Sequence, residues 1–174
     1  GAGGMDLILS DTISSAVADY DITSTYINSS YDSYYLVMTL IPVNDNVSPQ
    51  MQVFVGGTLD TGANYGSEIG TFDGGAVQTS DSQDHIDLVR YNTGSSAGEG
   101  FSLVGTFTNI NATDLPFSFQ GTSHSGGTGA APISAIIFGG LKMDQAGDVV
   151  NGIRIDFSGG NIESGSVQLY GLRK

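Results

Sequence analysis

Apolar residues along the chain alternate with polar ones or form short runs, and turn-forming residues interrupt them at fairly regular intervals. The clearest run, YYLVMTLIPV at 34–43, is β-branched, aromatic and apolar on both faces, which is typical of a central strand covered on two sides. MQVFV at 51–55 alternates cleanly, as a strand with one buried face does. The pattern predicts strands over 6–13, 16–22, 34–43, 51–55, 85–91, 101–107, 115–121, 133–138 with 141–143, 153–157 and 164–172.

Other segments carry weaker or different signals. The Ser/Thr/Tyr-rich stretch 23–33 has room for one short helical turn, and the glycine-rich stretch 58–84 indicates a loop with one short strand around 76–79. SHSGGTGAA at 123–131 indicates a flexible loop. Asn151-Gly152 is the preferred pair for a type I′ turn, whose two central residues need positive φ, and it predicts a hairpin between 149–150 and 153–157.

Nine or ten short strands without a convincing amphipathic helix predict an all-β fold, an antiparallel β-sandwich of jelly-roll-like type. We expect a single domain over residues 5–174, preceded by a Gly-rich linker or lead-in at 1–4. The alternation also predicts a core between two sheets. Its members are Leu36, Met38, Leu40, Val53, Val55, Leu103, Phe117, Phe119, Ile136, Phe138, Ile153, Ile155, Phe157, Val167 and Leu169.

Composition narrows the function classes. The chain has 174 residues, a length that suits one domain, and its 26 glycines fit the turns between many strands. The absence of Cys excludes disulfides, thiolate zinc sites and a cysteine nucleophile. A net charge of −13 with five basic residues argues against nucleic-acid and anionic-lipid partners, and no apolar run approaches the length of a membrane span. No cofactor is predicted.

The sequence signals for catalytic residues are weak. Ser123 and His124 are neighbours in the segment GTSHSG, which departs from the G-x-S-x-G elbow, and adjacent residues on a strand point to opposite faces. A glycosidase needs two carboxylates facing each other across a cleft. The three glutamates, Glu68, Glu99 and Glu163, lie beside Gly or Ser in predicted turns, where carboxylates are usually solvated. The residues therefore predict a protein that is not an enzyme.

Two further groups are candidate binding residues. Asp81, Asp84 and Asp87 are spaced three apart, and a surface Ca²⁺ site in this acidic chain is an alternative to a solvated acidic loop. Tyrosines are concentrated between residues 20 and 35, and Tyr rings combine an apolar body with a polar tip that suits interfaces and sugars. The candidates for subunit or ligand contact are Tyr26, Tyr31, Tyr34 and Tyr35. The alternative is that Tyr20 and Tyr34 lie at the edge of the core and the other tyrosines cover the end of a sheet.

Several motifs are similar to those of a known family. The start GGMDLILSDTISS, the segment SYDSY at 30–34 with its following apolar strand, the turn PVND at 42–45 and the end SGGNIESGSVQLYGL at 158–172 together resemble a family of tailed-phage virion structural proteins. These motifs are structural and carry no catalytic residues. They cover the two ends of the chain, whereas 56–100 matches no pattern of that family.

The resemblance implies a virion-surface protein made in the bacterial host cytoplasm, either a tail-fibre or receptor-binding head or a capsid decoration protein. It implies a homotrimer whose partners are other copies, other virion proteins and, for a fibre head, a host surface glycan or receptor. The alternative from the residues is a carbohydrate-binding module of a secreted bacterial protein. The absence of Trp argues against that alternative, since sugar platforms usually combine Trp with Tyr.

Overall fold

Residues 4–71, 77–127, 133–141 and 149–173 are described by the structure, a computed structural model. Within these ranges the chain forms β-strands and no helix, which confirms the all-β prediction. No helix long and apolar enough to cross a membrane occurs in them. The strands are β1 (Met5–Ile13), β2 (Asp19–Ile22), β3 (Ser33–Pro42), β4 (Pro49–Val55), β5 (Thr58–Leu59), β6 (Tyr65–Thr71), β7 (Val77–Gln83), β8 (Ile86–Asp87), β9 (Gly100–Thr108), β10 (Ser118–Gly126), β11 (Ile133–Leu141), β12 (Val150–Phe157) and β13 (Ile162–Leu172).

The strands form two antiparallel sheets packed against each other, so the predicted β-sandwich is confirmed. The larger sheet has eight strands in the order β1-β13-β3-β9-β10-β11-β6-β7. The smaller sheet has the order β2-β12-β4-β5, and β8 pairs with β4 at its side. Strands β1 to β4 alternate between the sheets, and so do β11 to β13, which is a jelly-roll-like pattern of connections.

The core lies between the facing sheets, because every second residue of each long strand points inward. Most of the predicted core residues are buried, but Ile136 and Phe138 are exposed on the far side of the larger sheet. Their neighbours Ala135 and Ile137 point inward instead. The prediction was wrong here because β11 is apolar on both faces, and alternation then does not distinguish the inner face from the outer one.

The stretch 58–84 holds β5, β6 and β7, so its interpretation as mainly a loop was wrong. Four alternate residues of β6 are buried, and two of them, Ser67 and Thr71, are small polar residues that hide the alternation. Most of β7 (VQTSDSQ) is open to solvent because it is the edge strand of the larger sheet, and its composition therefore resembles a loop.

The hairpin predicted at Asn151-Gly152 is also wrong, because both residues lie inside the continuous strand β12. The pairing with β4 shifts between Val150 and Gly152, so Asn151 forms a bulge, and its side-chain oxygen accepts a 3.0 Å hydrogen bond from Gly57 N–H. The tight turn lies instead at Gly56-Gly57, which have φ of 56° and 88° and connect β4 to β5. Two consecutive positive φ angles are the requirement of a type I′ turn.

Two other expectations need adjustment, and the short helical turn expected within 23–33 is present. Only Ile86–Asp87 of the predicted strand 85–91 forms a strand, paired with β4, while the buried Leu88 and Val89 lie beyond its end. Strand β10 begins at Ser118 and runs to Gly126, so half of the predicted loop 123–131 is strand. One helical turn forms at 23–27, where the Ile27 N–H donates a 3.0 Å hydrogen bond to the Thr23 carbonyl. Predictions for 1–3, 76, 128–131 and 142–143 fall outside the described residues.

Candidate functional site

The four candidate tyrosines occupy different environments. Tyr34 is fully buried, and its hydroxyl donates a 2.7 Å hydrogen bond to the Asn28 carbonyl while accepting one of 2.9 Å from Asn28 N–H. Tyr26 and Tyr31 are partly buried against the core, and Tyr31 donates a 3.0 Å hydrogen bond to Asp6. Tyr35 points away from the core, onto the outer face of the larger sheet. It is therefore the candidate best placed to meet a partner.

Tyr35 has an aromatic neighbour on the adjacent strand. Tyr170 of β13 is its direct cross-strand partner, and the two ring centroids are 6.3 Å apart with the planes tilted by 56°. On the other side of Tyr35, a shallow hollow of about 320 Å³ runs across Thr106 and Gln120 to Phe138. Sequence reasoning missed Tyr170 because it lies 135 positions along the chain from Tyr35, and only the strand pairing brings them together.

Apolar side chains continue across this outer face in two rows of cross-strand neighbours. One row contains, in order, Leu7, Tyr170, Tyr35, Thr106, Gln120 and Phe138. The next contains Gln168, Val37, Val104, Thr122 and Ile136. Leu7 and Phe138 are 56% and 53% exposed, and Val104 and Ile136 are 37% exposed. Contiguous exposed apolar groups of this kind mark interaction sites more often than scattered ones do.

This outer face is also uncharged over its five central strands. We define the central patch as three outward-facing residues from each of β13, β3, β9, β10 and β11. They are Ser166, Gln168, Tyr170, Tyr35, Val37, Thr39, Ser102, Val104, Thr106, Gln120, Thr122, His124, Ser134, Ile136 and Phe138. None of these residues is Asp, Glu, Lys or Arg, although the chain carries 18 acidic residues. Outside the patch, Glu68 on β6 and Asp81 on β7 point outward beyond Phe138. At the other end of the patch, Glu99 lines a hollow together with Thr39, Ser102 and His124. Glu163 is exposed near the start of β13.

The opposite face of the sandwich, on the smaller sheet, is strongly charged. Arg154 of β12 lies between its neighbours, with Nε 2.7 Å from one oxygen of Asp21 and a terminal nitrogen 3.5 Å from Asp19. Beside it, burial raises the pKa of Asp156, and the Arg154 and His85 charges oppose that rise. The two outer faces of the sandwich therefore differ sharply in charge.

His85 organises the carboxylates at one end of that charged face. Its Nδ1 lies 2.6 Å from Asp84 and its Nε2 lies 3.1 Å from Asp87, while the side-chain amide of Gln50 lies 2.9 Å from Nε2. The hydrogen bond to Asp87, followed by that to Asp84, raises the pKa of His85 against the opposing effect of burial. His85 and Asp87 share one face of the segment, as strand alternation requires.

Asp81 stands apart from this pair. It lies on β7 of the larger sheet, opposite Gly66, whereas Asp84 and Asp87 are held by His85. Across the residues the structure describes, no three His, Cys, Asp or Glu side chains are grouped so that they could hold a metal ion. The three aspartates considered as a Ca²⁺ site are thus not assembled into one.

The candidate catalytic residues lie apart from one another. Ser123 is buried on the inner face of β10, and His124 points outward, with Nδ1 3.0 Å from the hydroxyl of Ser134. Glu68 lies on β6 rather than in a turn, and Glu99 accepts a 2.9 Å hydrogen bond from Ser96 N–H in the turn before β9.

Comparison with protein-family models, with curated proteins and with solved structures finds no match to this chain.

Proposed function

We propose that this chain is a non-enzymatic structural protein displayed on the surface of a tailed-phage particle. It acts as a tail-fibre or receptor-binding head or as a capsid decoration protein, and it assembles as a homotrimer. The observation that carries the proposal is the difference between the two outer faces. One has a wide central patch of apolar and uncharged polar side chains, and the other presents Asp19, Asp21, Asp87, Asp156 and Arg154.

A subunit of a particle needs both kinds of surface. A covered contact is depleted of charged side chains at its centre, and a surface facing solvent keeps many copies soluble when it is charged. The rigid scaffold of two sheets also suits display of the connecting loops, since binding residues are commonly carried on loops of a fixed framework. The similarity of the two ends of the chain to phage virion proteins supports the phage setting.

The test is whether the chain is part of a particle. Phage particles are purified on a density gradient from a lysate whose phage encodes this chain, and antibodies against the purified chain are applied with gold-labelled secondary antibody. We expect gold at a fixed position, either on the head or at the tail tip, and this position distinguishes the two roles. Recovery of the chain only from the soluble lysate, with no label on particles, would overturn the proposal.

A carbohydrate-binding module is the second candidate, favoured by the Tyr35 and Tyr170 pair beside Gln168 and Thr106 on an open sheet face. Such a module would bind glycans on an array as a monomer. Tyr35→Ala should abolish that binding, whereas Tyr26→Ala should leave it unchanged because Tyr26 packs against the core. Glycan binding by a monomer that no particle contains would favour this candidate over the phage protein.

A further inference from the structure

We infer that the central patch on the outer face of the larger sheet is the contact between copies of this chain. The inference rests on the proposed function, because it names the partner that covers the uncharged face of the subunit. The occupant to which we commit is another copy of the chain.

The net charge of the chain limits which of its surfaces can meet a second copy. Each copy carries a net charge of −13, so two copies repel each other, and the repulsion is weakest where the contact keeps carboxylates apart. The central patch meets that condition over five adjacent strands, whereas the smaller sheet presents several Asp side chains outward. A strongly basic partner would be expected to bind the carboxylate-rich face instead. A second acidic copy fits the uncharged one.

The size of the central patch suits the centre of a contact between copies. Five strands about 4.8 Å apart, with about five residues each rising about 3.4 Å, give it roughly 400 Å². A standard protein interface buries about 800 Å² on each partner. The patch therefore supplies about half of such a contact, and exposed neighbours such as Leu7 and Ile41 would belong to its rim.

The sequence of β3 also indicates that the outer face of this strand is covered. Residues 34–43 have the pattern of a strand that is covered on both sides, since the outward Tyr35 and Val37 are aromatic and apolar while the inward Leu36 and Met38 are apolar as well. Within the part of the chain that the structure describes, the other sheet packs on the inner side only. Neighbouring copies in the homotrimer supply the missing outer layer.

Two substitutions at the centre of the patch test the contact. Val104 and Ile136 flank Thr122 on neighbouring strands, and both side chains are partly exposed, so Val104→Glu and Ile136→Glu place a carboxylate in the contact without filling the core. Val43→Glu is the matched control, since Val43 is 45% exposed and lies outside the patch. Sedimentation equilibrium measures association, and circular dichroism checks that each variant folds.

We expect the wild-type chain and Val43→Glu to form the same oligomer, and each patch variant to associate roughly 100-fold more weakly, because an unpaired charge is buried. A wild-type chain that remains monomeric at high concentration overturns the inference. An oligomer that both patch variants retain also overturns it, because another surface then makes the contact.

A second readout does not depend on how these variants fold. The chain has no Cys, so a single Thr122→Cys in the patch reports accessibility to a maleimide, with Ser15→Cys at an exposed position as control. We expect labelling at position 122 to slow at least tenfold as concentration rises, with position 15 unaffected. Equal labelling at both positions in the oligomer contradicts the inference.

The virion function and the contact through the central patch can be refuted separately. A monomeric chain that is nevertheless found on particles refutes the self-contact and the homotrimer but leaves the virion location standing. An oligomer that depends on the central patch but is absent from particles supports the self-contact and refutes the virion function. Binding of a glycan to the patch of a monomer, lost in Tyr35→Ala, refutes the self-contact as well.

Discussion

The hydroxyl group of Tyr65 connects the two sheets: it accepts a 3.0 Å hydrogen bond from the backbone N–H of Val53. Tyr65 lies on β6 of the larger sheet and Val53 on β4 of the smaller one. The same hydroxyl donates a 2.8 Å hydrogen bond to the Asp60 carbonyl. Burial of the ring raises the pKa of Tyr65, so the phenol stays protonated and able to donate.

Replacing Tyr65 with Phe should therefore destabilise the sandwich. The ring would still fill its place in the core, but the buried Val53 N–H would lose its acceptor, and an unsatisfied buried group costs about 1–3 kcal/mol. We expect the free energy of unfolding in urea to fall by that amount. Tyr91→Phe is the control, since Tyr91 is 41% exposed, and should change stability by less than about 0.5 kcal/mol. Equal stability of the wild type and Tyr65→Phe would contradict the role given to this hydroxyl.

Gly105 on β9 leaves space that the ring of Phe119 fills. A Cβ at position 105 would overlap that ring, so Gly105→Ala forces Phe119 to move and should cost about 1–3 kcal/mol of unfolding free energy. Gly70→Ala in β6 is the matched control, because a Cβ there has nothing within 4 Å, and it should be neutral or slightly stabilising. The measurement is urea unfolding of both variants.

The Phe119→Leu background tests whether the ring of Phe119 causes the cost of Gly105→Ala. If the overlap with Phe119 is the cause, Gly105→Ala should cost less in the Phe119→Leu background than in the wild type. An unchanged cost in both backgrounds would mean that the ring is not what position 105 accommodates.

Tyr34 holds the turn before β3 through its two hydrogen bonds to the backbone of Asn28. Tyr34→Phe removes both, so we expect the Asn28 amide to exchange with deuterated solvent at least tenfold faster, as local opening becomes easier. Tyr20→Phe is the control, because the Tyr20 hydroxyl donates its hydrogen bond to the side chain of Asp11 and not to Asn28. Unchanged exchange at Asn28 would show that other contacts hold the turn.

The sequence predicted the strands that alternate strongly and missed those whose inward residues are small or polar. β3 and β4 were found because large apolar residues mark their inner faces, whereas β6 buries Ser67 and Thr71. The prediction of a turn at Asn151-Gly152 was wrong for a different reason. A local pair of residues permits a tight turn, but the pairing of β12 with β4 on both sides of it decides the backbone path.

The candidate site was predictable only in part. The tyrosine-rich segment pointed to Tyr35, yet sequence spacing gave no means of separating it from the buried Tyr34 or of joining it to Tyr170. The apolar outer face depends on the register of six strands, and register is a long-range property. The one local signal was the two-sided apolar pattern of 34–43, which indicates a strand covered on both sides.

The acidic face makes the stability of the chain depend on pH through His85. Hydrogen bonds to Asp87 and Asp84 raise the pKa of His85 above its usual value near 6.5. A raised folded-state pKa means that the protonated form is the stabilised one. Its contribution is therefore complete below about pH 6.5 and is lost as pH rises through the raised pKa. Burial likewise raises the pKa of Asp156, which gives a pH dependence of the same sign at lower pH.

We therefore expect the unfolding free energy of the wild type to fall as pH rises from about 6.5 through the raised His85 pKa. His85→Gln should flatten that fall, because Gln keeps hydrogen-bonding capacity at this position but has no charge to lose. His124→Gln is the matched control, since His124 lies on the other outer face against Ser134, and it should keep the wild-type slope. Urea unfolding at several pH values from about 6.5 upward measures the difference between variants, in a range above that in which Asp156 contributes. Parallel curves for the wild type and His85→Gln across this range would show that the contacts of His85 with Asp84 and Asp87 do not stabilise its charged form.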